Sequence, residues 1–282
     1  MQGIDPNLLR LDVERWLGED VGFGDVTTRL TIDSELVGRA ELIFKQAGVV
    51  AGLPAAAEVF RAVDSRLEFK ELYPDGSKVV VGSVVATVSG HLSSVLTAER
   101  LALNLIQRLS GIATKTAEFV KKTEGTKAKI LDTRKTTPGL RYLEKYAVRV
   151  GGGQNHRFGL FDGVLIKDNH IAAAGGVVNA VTRARAAAPH TLVIEVEVNT
   201  MAELDQALSC GAGAILLDNM TTSQMTEAVL RIAGSVPVEA SGNMSLDRVG
   251  EVAACGVDLI SVGALTHSSP ALDVSLDISI VN

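Results

Sequence analysis

Two stretches of this 282-residue chain set cations where a bound anion would meet them: Asp132-Thr133-Arg134-Lys135 and Leu165-Ile166-Lys167-Asp168-Asn169-His170, with His156-Arg157 between them. Residues 132–170 hold seven lysines and arginines against four acids, in a chain of formal net charge -6. Such a local reversal of charge asks for an anionic partner. The cations follow apolar runs, Ile130-Leu131 and Gly163-Val164-Leu165-Ile166, that read as buried strands ending in functional groups. Acids appear downstream in the same way. Glu195 and Glu197 stand two apart in VIEVEV and so share one strand face, and Asp218-Asn219 ends AILL. Charge on an apolar strand costs free energy unless it is paired or bound. Ser241-Gly242-Asn243 and Gly263-Ala264 end two later runs, where backbone N–H groups can hold a phosphate.

Each feature alone has a plain alternative. Arg134-Lys135 beside Thr-Thr-Pro-Gly could be a solvated loop, Lys167 could snorkel to water, and a Ser-Gly turn is common. Their recurrence at successive strand ends is what points to one site. Arg134, Lys135, Arg157 and Lys167, with His156, suit a ligand of several negative charges, and the arginine fork fits planar carboxylates. Glu197 and Asp218 could accept ribose hydroxyls, help hold magnesium through water, or stabilise developing positive charge. Zinc spacing, a GxGxxG after a strand and a Ser-His-Asp order are all missing from the sequence. A phosphorylated, strongly anionic substrate handled electrostatically is the chemistry that remains.

The elements that position these groups alternate from residue 127 onward. Strands are expected near 129–132, 163–167, 192–198, 214–218, 237–240 and 257–262, and helices over 140–150, 175–188, 200–210, 223–233 and 245–255. Thr200 and Ser245 are suitable N-caps, and Gly211 and Gly256 suitable stops. About six βα units imply a parallel sheet wrapping toward a barrel, with fewer strands than the usual eight. Before this come a short helix over 8–18, a glycine-rich turn over 19–32, short strands between 38 and 89, and a helix over 54–64. This part reads as an α+β domain on an open sheet. A helix over 97–123 follows, with Ser110-Gly111 expected to break it in two. The alternating tail from Ala271 to Val281 reads as a strand that returns to the first domain's sheet.

Composition narrows the class. With 46% hydrophobic and 21% charged residues the chain fits an α/β protein. A sequence pI near 5.5 opposes general nucleic-acid binding. Two cysteines, Cys210 and Cys255, are too few for a disulfide scaffold and read as reduced. No stretch approaches the roughly 18 to 20 apolar residues of a membrane span. A cytoplasmic location is the expectation.

The residues also carry a resemblance that runs nearly end to end. Glu19-Asp20, Gly24-Asp25, Thr27-Thr28, Glu99-Arg100, Leu103-Asn104 and Ser110–Thr114 lead into Asp132–Gly139, His156-Arg157 and Leu165–His170. Glu195-Val-Glu197, Leu217–Asn219 and Ala240–Asn243 complete the series. In this order the chain resembles the quinolinate phosphoribosyltransferases of NAD biosynthesis. The resemblance implies a sandwich-like N-terminal α+β domain over 1–112, an incomplete, about six-stranded parallel βα barrel over 113–266, and a segment 267–282 packing on the first domain. It implies phosphoribosyl transfer from 5-phosphoribosyl 1-pyrophosphate to quinolinate with decarboxylation, accompanied by magnesium.

Carried over, Arg134, His156, Arg157 and Lys167 would line the dicarboxylate pocket, with Lys135 and Lys167 near pyrophosphate. Glu197 and Asp218 would face the ribose; Ser241, Gly242, Asn243 and Gly263, beside Ala264, would hold the 5-phosphate. Thr133 belongs to the same first loop. Lys135, Lys167, Glu197 and Asp218 are the expected catalytic groups. No direct protein ligand to magnesium is required, although Glu197 and Asp218 are in reach of one held by substrate and water. The resemblance further implies a homodimer in which Arg100 enters the neighbouring subunit's site, with higher assembly left open and neither nucleic acid nor membrane as partner. Two other readings stay open: an aldolase using Lys167 as Schiff base, and a relative linked to molybdate-transport operons with a binding role.

Overall fold

In the computed structural model, which describes residues 3–280, the chain begins with α1 (Pro6–Asp20), whose Asp5 cap accepts from the Asn7 and Leu8 backbone N–H groups. The expected glycine-rich turn is partly a second helix, α2 (Val26–Thr31). Asp25 starts it by accepting from Thr28 N at 3.0 Å, which is a capping signal the glycines around it mask. β1 (Val37–Phe44) and β2 (Gly48–Val49) follow, then α3 (Leu53–Val63), with Pro54 in its first turn. Next come β3 (Glu68–Glu71), β4 (Lys78–Val79) and β5 (Val84–His91). Among the short strands expected between 38 and 89, the apolar run from Lys78 to Val88 is thus split in two by a turn at Gly82, whose φ is 85°.

α4 (Leu92–Lys122) is one continuous helix of 31 residues, so the expected break at Ser110-Gly111 does not occur. Both residues serve packing instead. Ser110 Oγ accepts from Ala51 N at 3.0 Å and donates to Ala51 O at 3.1 Å. Gly111 lies so close to Pro270 that an added Cβ would stand 2.0 Å from its carbonyl oxygen. A small residue there is a contact requirement, and helix propensity is overridden.

The remaining elements are β6 (Lys129–Leu131), α5 (Arg141–Val150), β7 (Val164–Ile166), α6 (Asp168–Ala174), α7 (Val177–Ala187) and β8 (Ile194–Val198). They continue with α8 (Met201–Ser209), β9 (Ala214–Asp218), α9 (Thr222–Ile232), β10 (Val238–Ser241), α10 (Val249–Ala254), β11 (Leu259–Ser261), α11 (Ala264–His267) and β12 (Val274–Ile280). Val281, the last residue of the expected tail strand, lies outside the described residues. Helices expected over 175–188 and 245–255 begin differently. α6 precedes α7 as a separate turn, and α10 starts at Val249 because Ser245 caps only the preceding turn, accepting from Arg248 N at 3.3 Å.

The described residues fall into two units: 3–115, 142–151 and 269–280, and 116–141 and 152–268. The segment 142–151, expected with the barrel, goes with the first unit. In that unit an antiparallel sheet has the order β12-β1-β5-β3, with Phe44 opposite Val274 and Gly38 opposite Ile280. The alternation of β1 buries Gly38, Ala40, Leu42 and Phe44, and α3 adds Leu53, Val59 and Phe60 to the same core. Each fully buried leucine or phenylalanine contributes about 1.5–3 kcal/mol.

The second unit is a parallel sheet of six strands in the order β6-β11-β10-β9-β8-β7. Its ends, β6 and β7, do not pair with each other; a single parallel bridge joins Leu131 to Gln154 beside β6. This is an incomplete βα barrel. The strands are buried nearly throughout, as in β8, where all five residues are buried, so their apolar runs show no alternation. Thr200 and Thr221 open α8 and α9 with capping boxes, and Gly211 and Gly256, at φ 78° and 87°, end the turns after α8 and α10.

Candidate active site

A cavity of about 820 Å³ lies in the second unit where the strands end. Thr133, Arg134 and Lys135 reach it after β6, His156 and Arg157 before β7, and Lys167 after β7. Glu197 comes from β8, Asp218 from β9, Ser241, Gly242 and Asn243 from the end of β10, and Gly263 and Ala264 from beyond β11. Arg100 belongs to the first unit, on α4, where its guanidinium is exposed and 3.9 Å from Glu99.

Several loops are tied before any ligand arrives. Asp132, fully buried at the end of β6, accepts from the His156 backbone N–H at 3.0 Å and from the Asn155 side chain. Thr133 Oγ1 accepts from Lys135 N at 3.1 Å, and the Lys135 carbonyl accepts from Thr266 Oγ1 at 2.7 Å. Arg141 donates to Thr136 Oγ1 at 2.9 Å and to the Phe158 carbonyl at 3.1 Å, joining the first cationic loop to the second.

The charges are arranged with a bias. Lys167 Nζ donates to Glu197, a buried carboxylate on β8. Arg157 donates to the Gly163 carbonyl at 2.9 Å, and its pKa is lowered, first by burial and then by the neighbouring Arg134 cation. Two guanidiniums held where they repel each other gain from an anion between them. His156 accepts from Arg157 N at Nδ1, 2.7 Å away, leaving Nε2 as its donor nitrogen. That Nε2 stands 3.2 Å from Glu195 and 3.5 Å from Glu239. This nitrogen and one oxygen of each carboxylate lie within 4.8 Å of one another, a spacing a divalent cation could share, but an Nε2 that carries the ring proton does not ligate a metal. Burial, reinforced by the Glu195 carboxylate and opposed by His156, raises the Glu239 pKa to about 7.

The described residues 25–110 match the N-terminal domain of quinolinate phosphoribosyl transferase, and 112–277 match its C-terminal domain. The chain belongs to the quinolinate phosphoribosyltransferase family. It is 46% identical to a probable nicotinate-nucleotide pyrophosphorylase (carboxylating) of Synechocystis, covering 98% of this chain and 92% of that one. It is likewise 46% identical to the nicotinate-nucleotide pyrophosphorylase (carboxylating) of Mycobacterium leprae, over 94% and 95% of the two chains. Its structure is similar to the crystal structure of NadC from Streptococcus pyogenes, with a TM-score of 0.97, 40% identity and full coverage of both chains.

Within this quinolinate phosphoribosyltransferase chain the cavity falls wholly in the C-terminal match and Arg100 in the N-terminal one. Asn219, Glu239, Ser261 and His267 also line the cavity, and sequence reasoning did not single out Glu239 or His267 as site residues. His267 had a legible signal, four residues after Gly263 on a short helix, so that its Nε2 stands 3.2 Å from where a Gly263 Cβ would be. Glu239 had a fainter one, a lone acid within an apolar strand. His170, prominent in the charge pattern, proves to be the N3 partner that closes the α6 cap, accepting from Lys167 N at 3.0 Å.

Proposed function

We propose that this protein transfers the phosphoribosyl group of 5-phosphoribosyl 1-pyrophosphate to the ring nitrogen of quinolinate, with loss of the 2-carboxyl, giving nicotinate mononucleotide, pyrophosphate and carbon dioxide. One observation carries this reading: a single cavity holds Arg134, Arg157 and Lys167 together with the carboxylates of Glu197 and Asp218. A pocket made only to bind anions would exclude those acids. A ring bearing two carboxylates needs the cations; an oxocarbenium-like sugar needs the acids.

In this reading Arg134, Arg157 and Lys167 hold the two carboxylates and aim the ring nitrogen at C1 of the ribose. Lys135 and Lys167 draw the pyrophosphate away with the electron pair of the broken C–O bond. Glu197 and Asp218 face the positive charge that builds on the sugar. Ser241, Gly242, Asn243 and Gly263, with Ala264 behind them, offer the 5-phosphate backbone N–H groups and small side chains. Once the nitrogen carries the ribosyl group, the ring can accept the electrons of the C2–carboxyl bond, and a proton then fills C2. His156 contributes as an oriented neighbour of Glu195 and Glu239.

Magnesium fits these residues: Asp218 is only half buried and lines the cavity, and hard carboxylate oxygens suit this ion through water. Glu197 and Asp218 would hold it beside the donor, where it would neutralise pyrophosphate. The working form is a homodimer, with Arg100 serving the other subunit's site, and the compartment is the cytoplasm. Two free cysteines fit a reducing compartment, and no helix of the described residues is long and apolar enough to cross a membrane.

Lys167 bound to Glu197 speaks against the Schiff-base aldolase, because an ammonium donating to a carboxylate is a poor nucleophile. Incubation with quinolinate, 5-phosphoribosyl 1-pyrophosphate and magnesium should yield nicotinate mononucleotide, with nicotinate a poor competing acceptor. Binding without turnover would favour the molybdate-linked relative and overturn the proposal.

A further inference from the structure

Arg248 was not among the residues with an expected role. It sits at the start of α10, half buried, and its guanidinium donates in two directions: to the Met220 carbonyl at 2.8 Å and to the Gly242 carbonyl at 3.1 Å. Met220 follows β9, which ends in Asp218, whereas Gly242 lies in the turn that ends β10. One side chain therefore spans the loop of the ribose-facing carboxylate and the loop assigned to phosphate.

Asn219 joins the same two loops from the cavity side. Its backbone N–H donates to the Ser241 carbonyl at 3.0 Å, its Oδ1 accepts from Asn243 at 3.2 Å, and its Nδ2 donates to Asp218 Oδ2 at 2.7 Å. It does this from a left-handed backbone conformation, φ 53°, which asparagine tolerates better than most residues. The fit leaves no slack. At Gly242, φ 92°, an added Cβ would stand 2.1 Å from Asn219 Oδ1.

We propose that Arg248 and Asn219 are positioning residues that fix the spacing between the Asp218 carboxylate and the Ser241–Asn243 turn, and so the affinity and alignment of the phosphoribosyl donor. The inference rests on the function proposed above. A ribose 5-phosphate has a short, fixed span between its ring hydroxyls and its phosphate, so a site binding both ends works only if the two loops keep their distance. Arginine suits the task because its planar fork carries several donors in fixed directions, which a lysine ammonium does not.

The test separates the two substrates. In Arg248→Met, which keeps the stem and removes the donors, the KM for 5-phosphoribosyl 1-pyrophosphate should rise about tenfold, and calorimetric binding of ribose 5-phosphate should weaken by a similar factor. The KM for quinolinate should stay within about twofold. Arg248→Lys should recover part of the loss. Asn219→Ala should lower kcat more than it raises either KM, because Asp218 loses its orienting donor. The inference fails if folded Arg248→Met binds the donor as the wild type does, or if both KM values rise together with a lower melting midpoint, the mark of a merely structural role. A wild-type chain that neither turns over the donor nor binds ribose 5-phosphate would overturn the underlying reading, and this inference with it.

Discussion

Lys167 and Glu197 show what a single pair accomplishes. The acid is buried on β8, the ammonium is partly open to solvent, and both line the cavity, so each keeps the other oriented until a ligand competes for the lysine. Replacing Lys167 with alanine strands a buried carboxylate and removes the contact proposed for both substrates. We expect kcat/KM to fall about a thousandfold, on the order of 4 kcal/mol in transition-state stabilisation, with the fold retained by circular dichroism. Near-normal turnover would remove Lys167 from the catalytic set. Glu239 makes a second prediction. Its pKa is raised from the ordinary 4.5 to about 7, first by burial and then by Glu195, so the folded state binds its proton more tightly than the unfolded chain does. Its contribution to stability is full below about pH 4.5 and is lost as pH rises through about 7. Glu239→Gln, which is uncharged throughout, should flatten the decline of the melting midpoint between those values. An unchanged slope would refute the raised pKa.

At the scale of elements, α4 shows tertiary contact overriding local preference. Ser110-Gly111 looks like a break by propensity, but Gly111 is where the helix meets Pro270 and Ala271, and the helix runs through. Gly111→Ala improves helix propensity by about 1 kcal/mol yet places a methyl 2.0 Å from a carbonyl oxygen. Overpacking of that kind costs about 1–3 kcal/mol or more. The net expectation is a lower melting midpoint, by several degrees; a rise would mean that the 269–271 segment yields easily. The short α6 is a comparable case, because His170, which the sequence places in the charged stretch after β7, acts there as a cap.

The whole molecule raises the question of Arg100. It lies on the exposed face of α4 in the first unit, and the proposed dimer gives it work in the partner's site. Arg100→Ala and Lys167→Ala chains, each nearly inactive alone, should recover up to about a quarter of wild-type activity when mixed, since one site in a heterodimer would carry both intact groups. Heterodimers that form and stay inactive would end that claim.

Much of the site was legible because its chemistry recurs at one place in a repeating pattern. Arg134-Lys135, Lys167, Asp218, Ser241–Asn243 and Gly263-Ala264 each end an apolar run, Glu197 stands within one, and a parallel sheet gathers its strand ends at one rim. The six strands were legible for the same reason: buried runs of β-branched and aliphatic residues are local features. What the sequence did not contain was any measure of what crosses between runs. Arg248 reads as an ordinary helix-start cation, yet it bridges Met220 and Gly242. Glu239 reads as a strand acid, yet it lies under His156 beside Glu195. The segment 142–151 has barrel rhythm but joins the first unit. Period and composition decide which residues are buried and where chains turn; which buried groups meet depends on long-range packing, and only the tertiary structure decided that.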